Sequence, residues 1–429
     1  MHKKIVFFLD TKGGRLAGAQ KSFLDLALYA AKDTSNETFF MNRECDSLKE
    51  EYASSNVKFI NIDECNFMEL EKATFIVPIN YLFFLLVHIM DLKEAKLFLY
   101  NYDETAIRRL CQQIKHTSFD KRDFVELLTS TKGYAFIDKR AHLYSNDYCG
   151  KELLPNYLPL MRESAIDKYK SNAPLVDAQA INIGWHGNIN SKSVKGIINI
   201  ITALNGKRMK GKVNFHIIGK PGLFLKENIS GFAPKTRFIF AGELDGQKLE
   251  TYIRNEIDIL CSYGAYAIEV STFGVPIIIP SVNRTNNKTM YFYNARNFDF
   301  YLENAQIPRL NYTYNSMRTV LKQIRTKREK NMHAKKCYDF CVENLTVEVL
   351  FDNLIKYIDS SDLTLRRCKE SSYVMKHIND YNRYTKKNKN GNYESFIKEN
   401  SFFNSLRDLK KFDKAKKYLK KFLTERKKK

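Results

Sequence analysis

Short apolar runs, separated by polar loops and amphipathic stretches, recur along most of the 429-residue chain. In the first 160 residues these runs predict buried strands of a parallel sheet, with helices such as Ser22–Ala31 between them. Strands that alternate with helices indicate βαβ units, so this part is predicted to be one α/β domain. The strands are predicted at Lys4–Leu9, Val57–Ile60, Phe75–Val77, Lys96–Leu99 and Ala135–Ile137.

The same alternation returns after the segment Leu153–Leu160, whose Pro155 and Pro159 favour extended chain and indicate an exit into a linker. The pattern beyond it predicts a doubly wound sheet. The fold class is therefore α/β, with two Rossmann-like domains at residues 1–160 and 175–330. In the second domain, strands are predicted at Ile181–Trp185, Val213–Ile218, Arg237–Ala241, Ile257–Leu260 and Val275–Ile279, and helices at Ile197–Leu204, Gln247–Asn255 and Tyr266–Thr272.

Two further helices are predicted after the second domain. Thr346–Ile358 carries apolar residues at helix-face spacing, which predicts a docked closing helix within residues 331–360. Beyond Ser360 we expect a polar connector, followed by an amphipathic helix at Ser401–Leu423 with lysines opposite its apolar stripe. Residues 361–429 are thus predicted to form a basic helical extension.

The apolar stretch Ala73–Met90 raises the question of a membrane span. It is slightly shorter than the ~20 residues that a span needs, and Pro78, Asn80 and His88 interrupt it. We interpret it as a buried strand followed by a buried helix, with a membrane span as the alternative.

The charge of the chain is strongly basic and unevenly distributed. Lys and Arg number 70 against 48 Asp and Glu, a formal net charge of +22. Residues 361–429 hold 21 basic and 8 acidic residues, so more than half of the excess lies there. This distribution argues against a protein that binds nucleic acid with its folded domains. An anionic substrate or an anionic membrane surface is the expected partner.

The eight cysteines are scattered and form no CxxC pair or zinc-ligand pattern. Cys337 and Cys341 share a helix face and are expected to be buried, reduced thiols. No basic-then-apolar signal segment precedes the first predicted strand. These features favour a cytoplasmic protein.

Four loops of the second domain follow predicted strands, at the sheet edge where doubly wound folds bind ligands. Glycine there allows backbone to approach a phosphate, and the free amides at a helix start bind anions. A lysine supplies positive charge, and a glutamate accepts hydrogen bonds from sugar hydroxyls. For each, a tight turn or a solvated side chain is the alternative. The candidate ligand-binding residues are Gly187, Asn188, Lys195, Gly219, Gly264, Ala265 and Glu269.

Taken together, these loops resemble the donor half of GT-B glycosyltransferases, over about Ile181 to Pro280. The run Ile183–Asn188, with Lys195-Gly196, is similar to the strand and lysine-glycine pair that open the donor domain. Asp258, Glu269 and Gly274-Val-Pro276 are similar to the markers of the nucleotide-sugar site. Gly18–Ser22 in the first domain is similar in layout to the glycine loop and first helix of such enzymes. The resemblance implies that residues 1–160 are the acceptor domain and residues 175–330 the nucleotide-sugar donor domain.

The resemblance implies that the amides of Gly264 and Ala265 bind the donor diphosphate, that Lys195 counters its charge and that Glu269 holds the ribose hydroxyls. It implies no cofactor, because the nucleotide sugar is the substrate, and no metal. Many relatives carry an additional, earlier glutamate, and Cys261 stands at that position here. The sugar contact and the stereochemistry therefore stay open, and the chain suits a subgroup with a shortened loop.

An inverting reaction requires a base from the first domain, facing the cleft. Asp103 and Asp138 each follow a predicted strand and are the candidate catalytic bases. A helix cap is the alternative role for both.

The predicted function is transfer of a sugar from a nucleotide-sugar donor to a surface-glycan acceptor of the capsule or lipooligosaccharide type. The enzyme is expected in the cytoplasm, either free or peripheral on the inner face of the membrane through residues 401–423. The alternatives are a non-catalytic binding protein with a GT-B-like scaffold and a protein that binds nucleic acid through its basic tail.

Overall fold

The computed structural model describes residues 3–10, 19–112, 118–159, 169, 180–205, 212–220, 236–281, 290–292, 315–388 and 395–397. Within these residues the chain forms two parallel α/β sheets, one in each half. The predicted α/β class with two Rossmann-like domains is confirmed. The predicted helix at Ser401–Leu423 lies outside the described residues.

The first sheet has the strand order β3-β2-β1-β4-β5-β6, and every neighbouring pair is parallel. Its strands are β1 Lys3–Phe8, β2 Asn36–Asn42, β3 Lys58–Asn61, β4 Thr74–Pro78, β5 Lys96–Asn101 and β6 Tyr134–Phe136. Its helices are α1 Ala19–Ala30, α2 Asp46–Glu51, α3 Leu82–Ile89, α4 Ala106–Gln112, α5 Ser118–Thr131 and α6 Lys139–Cys149, with short 3₁₀ turns at Ile62–Glu64, Phe67–Leu70 and Ile79–Tyr81.

The second sheet repeats this winding in the order β12-β11-β10-β7-β8-β9. Five strands are parallel, and β12 pairs antiparallel with β11 at the edge. The strands are β7 Ala180–His186, β8 Lys212–Ile218, β9 Thr236–Gly242, β10 Ile259–Ser262, β11 Ile277–Pro280 and β12 Met290–Phe292. The helices are α7 Ser191–Leu204, α8 Gly246–Glu256, α9 Gly264–Val270 and α10 Met317–Lys322.

Helices cover both faces of the second sheet. On one face, Ile197 and Ile201 of α7 pack in a cluster with Trp185 of β7. On the other, Ile253 of α8 and Ile268 of α9 belong to the cluster that contains Leu260 and Ile277 of the strands. Because successive side chains of a strand point to opposite faces, the apolar residues of these strands pack against the helices on both faces of the sheet.

In the described part of the chain, α10 is followed by α11 Lys327–Asn344, α12 Val347–Asp359, α13 Leu365–Glu370 and α14 Ser372–Lys387. The last three return the chain to the first sheet. The backbone N–H of Leu97 donates to Leu363 O at 2.9 Å, the rings of Tyr29 and Phe351 are 5.6 Å apart, and Asp123 accepts a 2.7 Å bond from Ser371 Oγ. The C-terminal helices therefore complete the packing of the first domain.

Most predicted elements are found within a few residues of their expected ends, and the closing helix corresponds to α12. The polar connector predicted beyond Ser360 is wrong, because α13 and α14 lie there and pack on the first domain. Strand β2 and helix α11 had no counterpart among the predicted elements. The boundary predicted at residue 330 falls inside α11.

The apolar stretch Ala73–Met90 forms β4 and the buried helix α3, as interpreted from its interruptions. Within the described ranges, no helix has both the length and the apolar character needed to cross a membrane. Cys337 and Cys341 are buried, as expected.

A buried polar network fastens α11 beneath the second sheet. Lys330 of α11 and Asp258, the residue before β10, are both fully buried, and Nζ lies 2.8 Å from Oδ1. The second carboxylate oxygen accepts bonds from Asn182 N at 2.9 Å and Asn182 Nδ2 at 3.3 Å. Asn182 Oδ1 lies 3.3 Å from His216, whose pKa is lowered to about 4 by burial, so that ring is neutral at physiological pH.

We expect Lys330→Met to destabilise the protein strongly, because Asp258 would be left as a buried charge without its counter-ion. Loss of one partner of a buried pair lowers the free energy of unfolding by about 3–5 kcal/mol. Urea denaturation measures the change. Lys335→Met is the matched control, since Lys335 on the same helix pairs with Asp339 at the surface and exposed pairs contribute about 0–1 kcal/mol. Equal losses in the two variants would contradict the prediction.

Candidate functional site

The strand order of the second sheet reverses between β7 and β10. The helices that follow these two strands, α7 and α9, pack on opposite faces of the sheet, so the connecting loops separate and leave a crevice at the carboxyl edge. A cavity of about 310 Å³ lies there, lined by the segments that follow β7, β8 and β9 and by Tyr266 of α9.

The loop after β7 depends on glycine at position 187. Gly187 has a φ of +147°, and a Cβ atom there would lie 3.0 Å from Cε1 of Tyr263 and 3.4 Å from Cδ2 of Tyr266. Both the backbone conformation and the close approach of the two rings therefore exclude a side chain. The cavity wall is bare backbone at this point.

Two hydrogen bonds fasten the loops on either side of the switch point. Ser262 Oγ donates to His186 O at 2.9 Å, and Tyr263 OH donates to Asn188 O at 2.7 Å. Burial raises the pKa of Tyr263 to about 12, so its hydroxyl keeps its proton and remains a donor. The two loops thus have a fixed relative position.

A histidine and a glutamate meet beside the cavity. His186 is the last residue of β7 and only 7% exposed, and its Nε2 lies 3.3 Å from Oε2 of Glu269 on α9. The His186 ring also meets the ring of Tyr266 edge-on, with centroids 5.3 Å apart. The Glu269 side chain remains 47% exposed. The carboxylate is therefore anchored on one side and accessible to solvent on the other.

The charges around the cavity differ from those expected. Lys220, directly after β8, and Glu243, directly after β9, both line it and are exposed. Lys195 does not line it, because α7 begins at Ser191 rather than at the predicted Ile197. Lys195 consequently lies in the second turn of the helix, with an exposed side chain.

The structure brings together three of the predicted residues in the cavity wall: Gly187, Asn188 and Gly219. Gly264 and Ala265 begin α9, the helix that carries Glu269. His186, Lys220 and the two tyrosines were not among the predicted residues. Since the last residue of a parallel strand lies at the carboxyl edge of the sheet, the end of the predicted strand before Gly187 was the available signal for His186.

Cys261 and Asp258 lie away from the cavity. Cys261 is a fully buried residue of β10, and burial raises its thiol pKa. Position 261 is thus part of the sheet core, and the connection from β10 to α9 is the single residue Tyr263. Asp258 lies at the amino end of β10, where it pairs with Lys330.

The two aspartates predicted as bases hold local turns in the first domain. Asp103 Oδ1 accepts bonds from the N–H and hydroxyl of Thr105, both at 2.7 Å, and lies 3.1 Å from Nη2 of Arg109. Asp138 caps α6 by accepting a 2.6 Å bond from Ala141 N, and burial raises its pKa. Each thus stabilises the start of a helix, and a role as base stays a prediction.

Comparison with known proteins identifies the fold. No family model matches this chain, and no curated protein matches it. Among solved structures, the apo lipopolysaccharide outer core galactosyltransferase WaaB superimposes with a TM-score of 0.51 at 15% identity, over 83% of this chain and 99% of that one. A glycosyltransferase from Rickettsia africae gives 0.50 at 10% identity, over 84% and 98%. The chain has the GT-B glycosyltransferase fold, as the resemblance predicted.

Proposed function

We propose that this protein is a glycosyltransferase that moves a sugar from a nucleotide-sugar donor to a surface-glycan acceptor. The observation that carries the proposal is the cavity at the carboxyl edge of the second sheet, with Glu269 anchored beside it. The cavity lies in the half of the fold whose loops resemble the donor domain of GT-B enzymes. Its volume of about 310 Å³ lies at the lower end of the roughly 300–1,000 Å³ that small-molecule pockets have.

The chemical groups of the cavity wall suit a nucleotide-sugar donor. Glycine backbone at positions 187 and 219 permits close approach of a phosphate, and Lys220 supplies a positive charge in the wall. The carboxylate of Glu269 accepts hydrogen bonds from the ribose hydroxyls. Bond cleavage at the anomeric carbon leaves negative charge on the diphosphate, which Lys220 and the first amides of α9, at Gly264 and Ala265, would stabilise without a metal.

Two observations support a surface glycan, of the capsule or lipooligosaccharide type, as acceptor. WaaB, which has the same fold, is an outer core galactosyltransferase of lipopolysaccharide. Residues 401–429 carry 12 basic and 3 acidic residues, a charge suited to the anionic membrane face where a lipid-linked acceptor lies. We therefore propose that the enzyme works in the cytoplasm, at the inner face of the membrane.

Glu269→Gln should weaken donor binding, because a neutral amide accepts hydrogen bonds less strongly than a carboxylate and turns a donor toward the hydroxyls. The loss is expected to be about 1–3 kcal/mol. Calorimetric titration with UDP, GDP and CMP donors measures it. Glu343→Gln, an exposed change on α11, is the control and should bind normally. Unchanged affinity of Glu269→Gln for the nucleotide that the wild type binds would overturn the assignment.

The two lysines near the site are distinguishable by substitution. Lys220→Met should lower turnover more than Lys195→Met, because only Lys220 lines the cavity. Both side chains are exposed, so the melting temperature should change little in either variant. Steady-state kinetics and thermal unfolding test this together. A larger loss of activity for Lys195→Met would indicate that Lys195 contacts the diphosphate, as the sequence resemblance implied.

The basic tail is expected to bind an anionic membrane surface. The stripe Phe402–Phe422 supplies apolar area, and lysines near the surface contribute roughly 1 kcal/mol each. A truncated chain for the test should end at residue 400, because the segment before it is packed. Helices α13 and α14 pack on the first domain, and the ring centroid of Phe396 lies 5.4 Å from those of Tyr381 and Tyr384.

Flotation with vesicles of anionic lipid compares the full chain with the chain ending at residue 400. The full chain should float, less so at high salt, and the shortened chain should stay in the soluble fraction. Equal flotation of the two would show that the tail is not the tether. Vesicles of neutral lipid serve as the control, since electrostatic attraction needs anionic headgroups.

A further inference from the structure

We infer that His186 is a positioning residue of the donor site, whose imidazole holds the carboxylate of Glu269 toward the ribose hydroxyls of the donor. The inference rests on the proposed function and adds a residue to it. It starts from the 3.3 Å contact between His186 Nε2 and Glu269 Oε2 beside the cavity.

The imidazole has a fixed position, and the carboxylate of Glu269 lies at the end of a longer side chain. His186 ends a central strand, its carbonyl accepts a bond from Ser262 Oγ, and Tyr266 packs edge-on against its ring. Glu269 is a long side chain on a short helix, and it is half exposed. A flexible carboxylate loses rotamer freedom when it binds a ligand. Contact with a rigid imidazole restricts it beforehand, which favours binding.

The burial of the ring also indicates which nitrogen donates to Glu269. Nδ1 of His186 is buried and has no hydrogen-bond partner within the described part of the chain. Nε2 faces the carboxylate of Glu269, which can only accept, so Nε2 carries a proton and donates it in this hydrogen bond. Among the described residues, the charged groups that line the cavity are Lys220 and Glu243, and Glu269 of α9 lies against His186.

An unpartnered buried nitrogen is unfavourable for folding, and such groups concentrate where function requires them. A purely structural residue at this strand end would be better served by an apolar side chain. His186 lines the cavity and contacts the carboxylate of Glu269. A role in positioning that carboxylate accounts for a histidine at this strand end.

Two substitutions separate positioning from packing. His186→Gln places an amide N–H near the position of Nε2 and keeps a donor for Glu269. His186→Asn is polar as well, but its side chain is too short to reach the carboxylate. The titrants are UDP, GDP, CMP and ADP, each compared with its 2′-deoxy form, and thermal unfolding is followed for every variant.

We expect the wild type to bind one ribonucleotide about tenfold more tightly than its 2′-deoxy form, the effect of one hydrogen bond to a charged group. His186→Asn should lose this discrimination and His186→Gln should retain it, at similar melting temperatures. In a Glu269→Gln background, His186→Asn should have no further effect, because both changes remove the same contact.

The outcomes distinguish a failure of the proposed function from a failure of the positioning role of His186. If the wild type binds none of the four nucleotides, the proposed function fails and the positioning role fails with it. If the wild type discriminates and His186→Asn discriminates equally, the positioning role alone is overturned. Additive losses in the double variant, or equal falls in melting temperature for Gln and Asn, would assign His186 to packing and overturn it as well.

Discussion

The parallel pairing of β7 with β10 is the constraint on which the candidate site depends. The helices after these adjacent strands pack on opposite faces of the sheet, so their connecting loops must separate at the carboxyl edge. The separation opens a cavity, and the hydrogen bonds from Ser262 to His186 and from Tyr263 to Asn188 prevent the loops from drifting apart. Gly187 allows the rings of Tyr263 and Tyr266 to approach the backbone of the loop after β7.

The two ends of this sheet differ in how completely their polar groups are hydrogen-bonded. At the amino end, the buried charges of Lys330 and Asp258 form a direct pair, and Asn182 bonds the second carboxylate oxygen. At the carboxyl end, Glu269 is half exposed, and one buried nitrogen of His186 has no partner among the described residues. Closed networks fix a structure, whereas incompletely satisfied groups beside a cavity are available to a ligand. The contrast supports the carboxyl edge as the working side of the domain.

The C-terminal helices connect the two halves of the molecule. Helix α11 is fastened to the second sheet by Lys330, and the following helices pack on the first sheet through contacts such as Tyr29 with Phe351. The chain therefore crosses back to the first domain before its basic tail begins. A tail that bound a membrane would thus hold the surface to the first domain, the half in which the acceptor is expected.

The sequence by itself determined the fold class and most strands, because continuous apolar runs such as Ile5–Leu9 and Val275–Ile279 have no stable place except a sheet covered on both faces. It also placed Gly187, Asn188, Gly219 and Glu269 on the correct loops and helix, since strand ends and glycines are local signals. It missed α11, although a Thr326–Glu329 capping box marks the start of that helix, and it missed the first-domain packing of α13 and α14. Only the tertiary structure decided that Lys220 rather than Lys195 lines the cavity and that His186 meets Glu269. Those two residues are 83 positions apart, and the pairing of β7 with β10, which no local pattern encodes, brings them together.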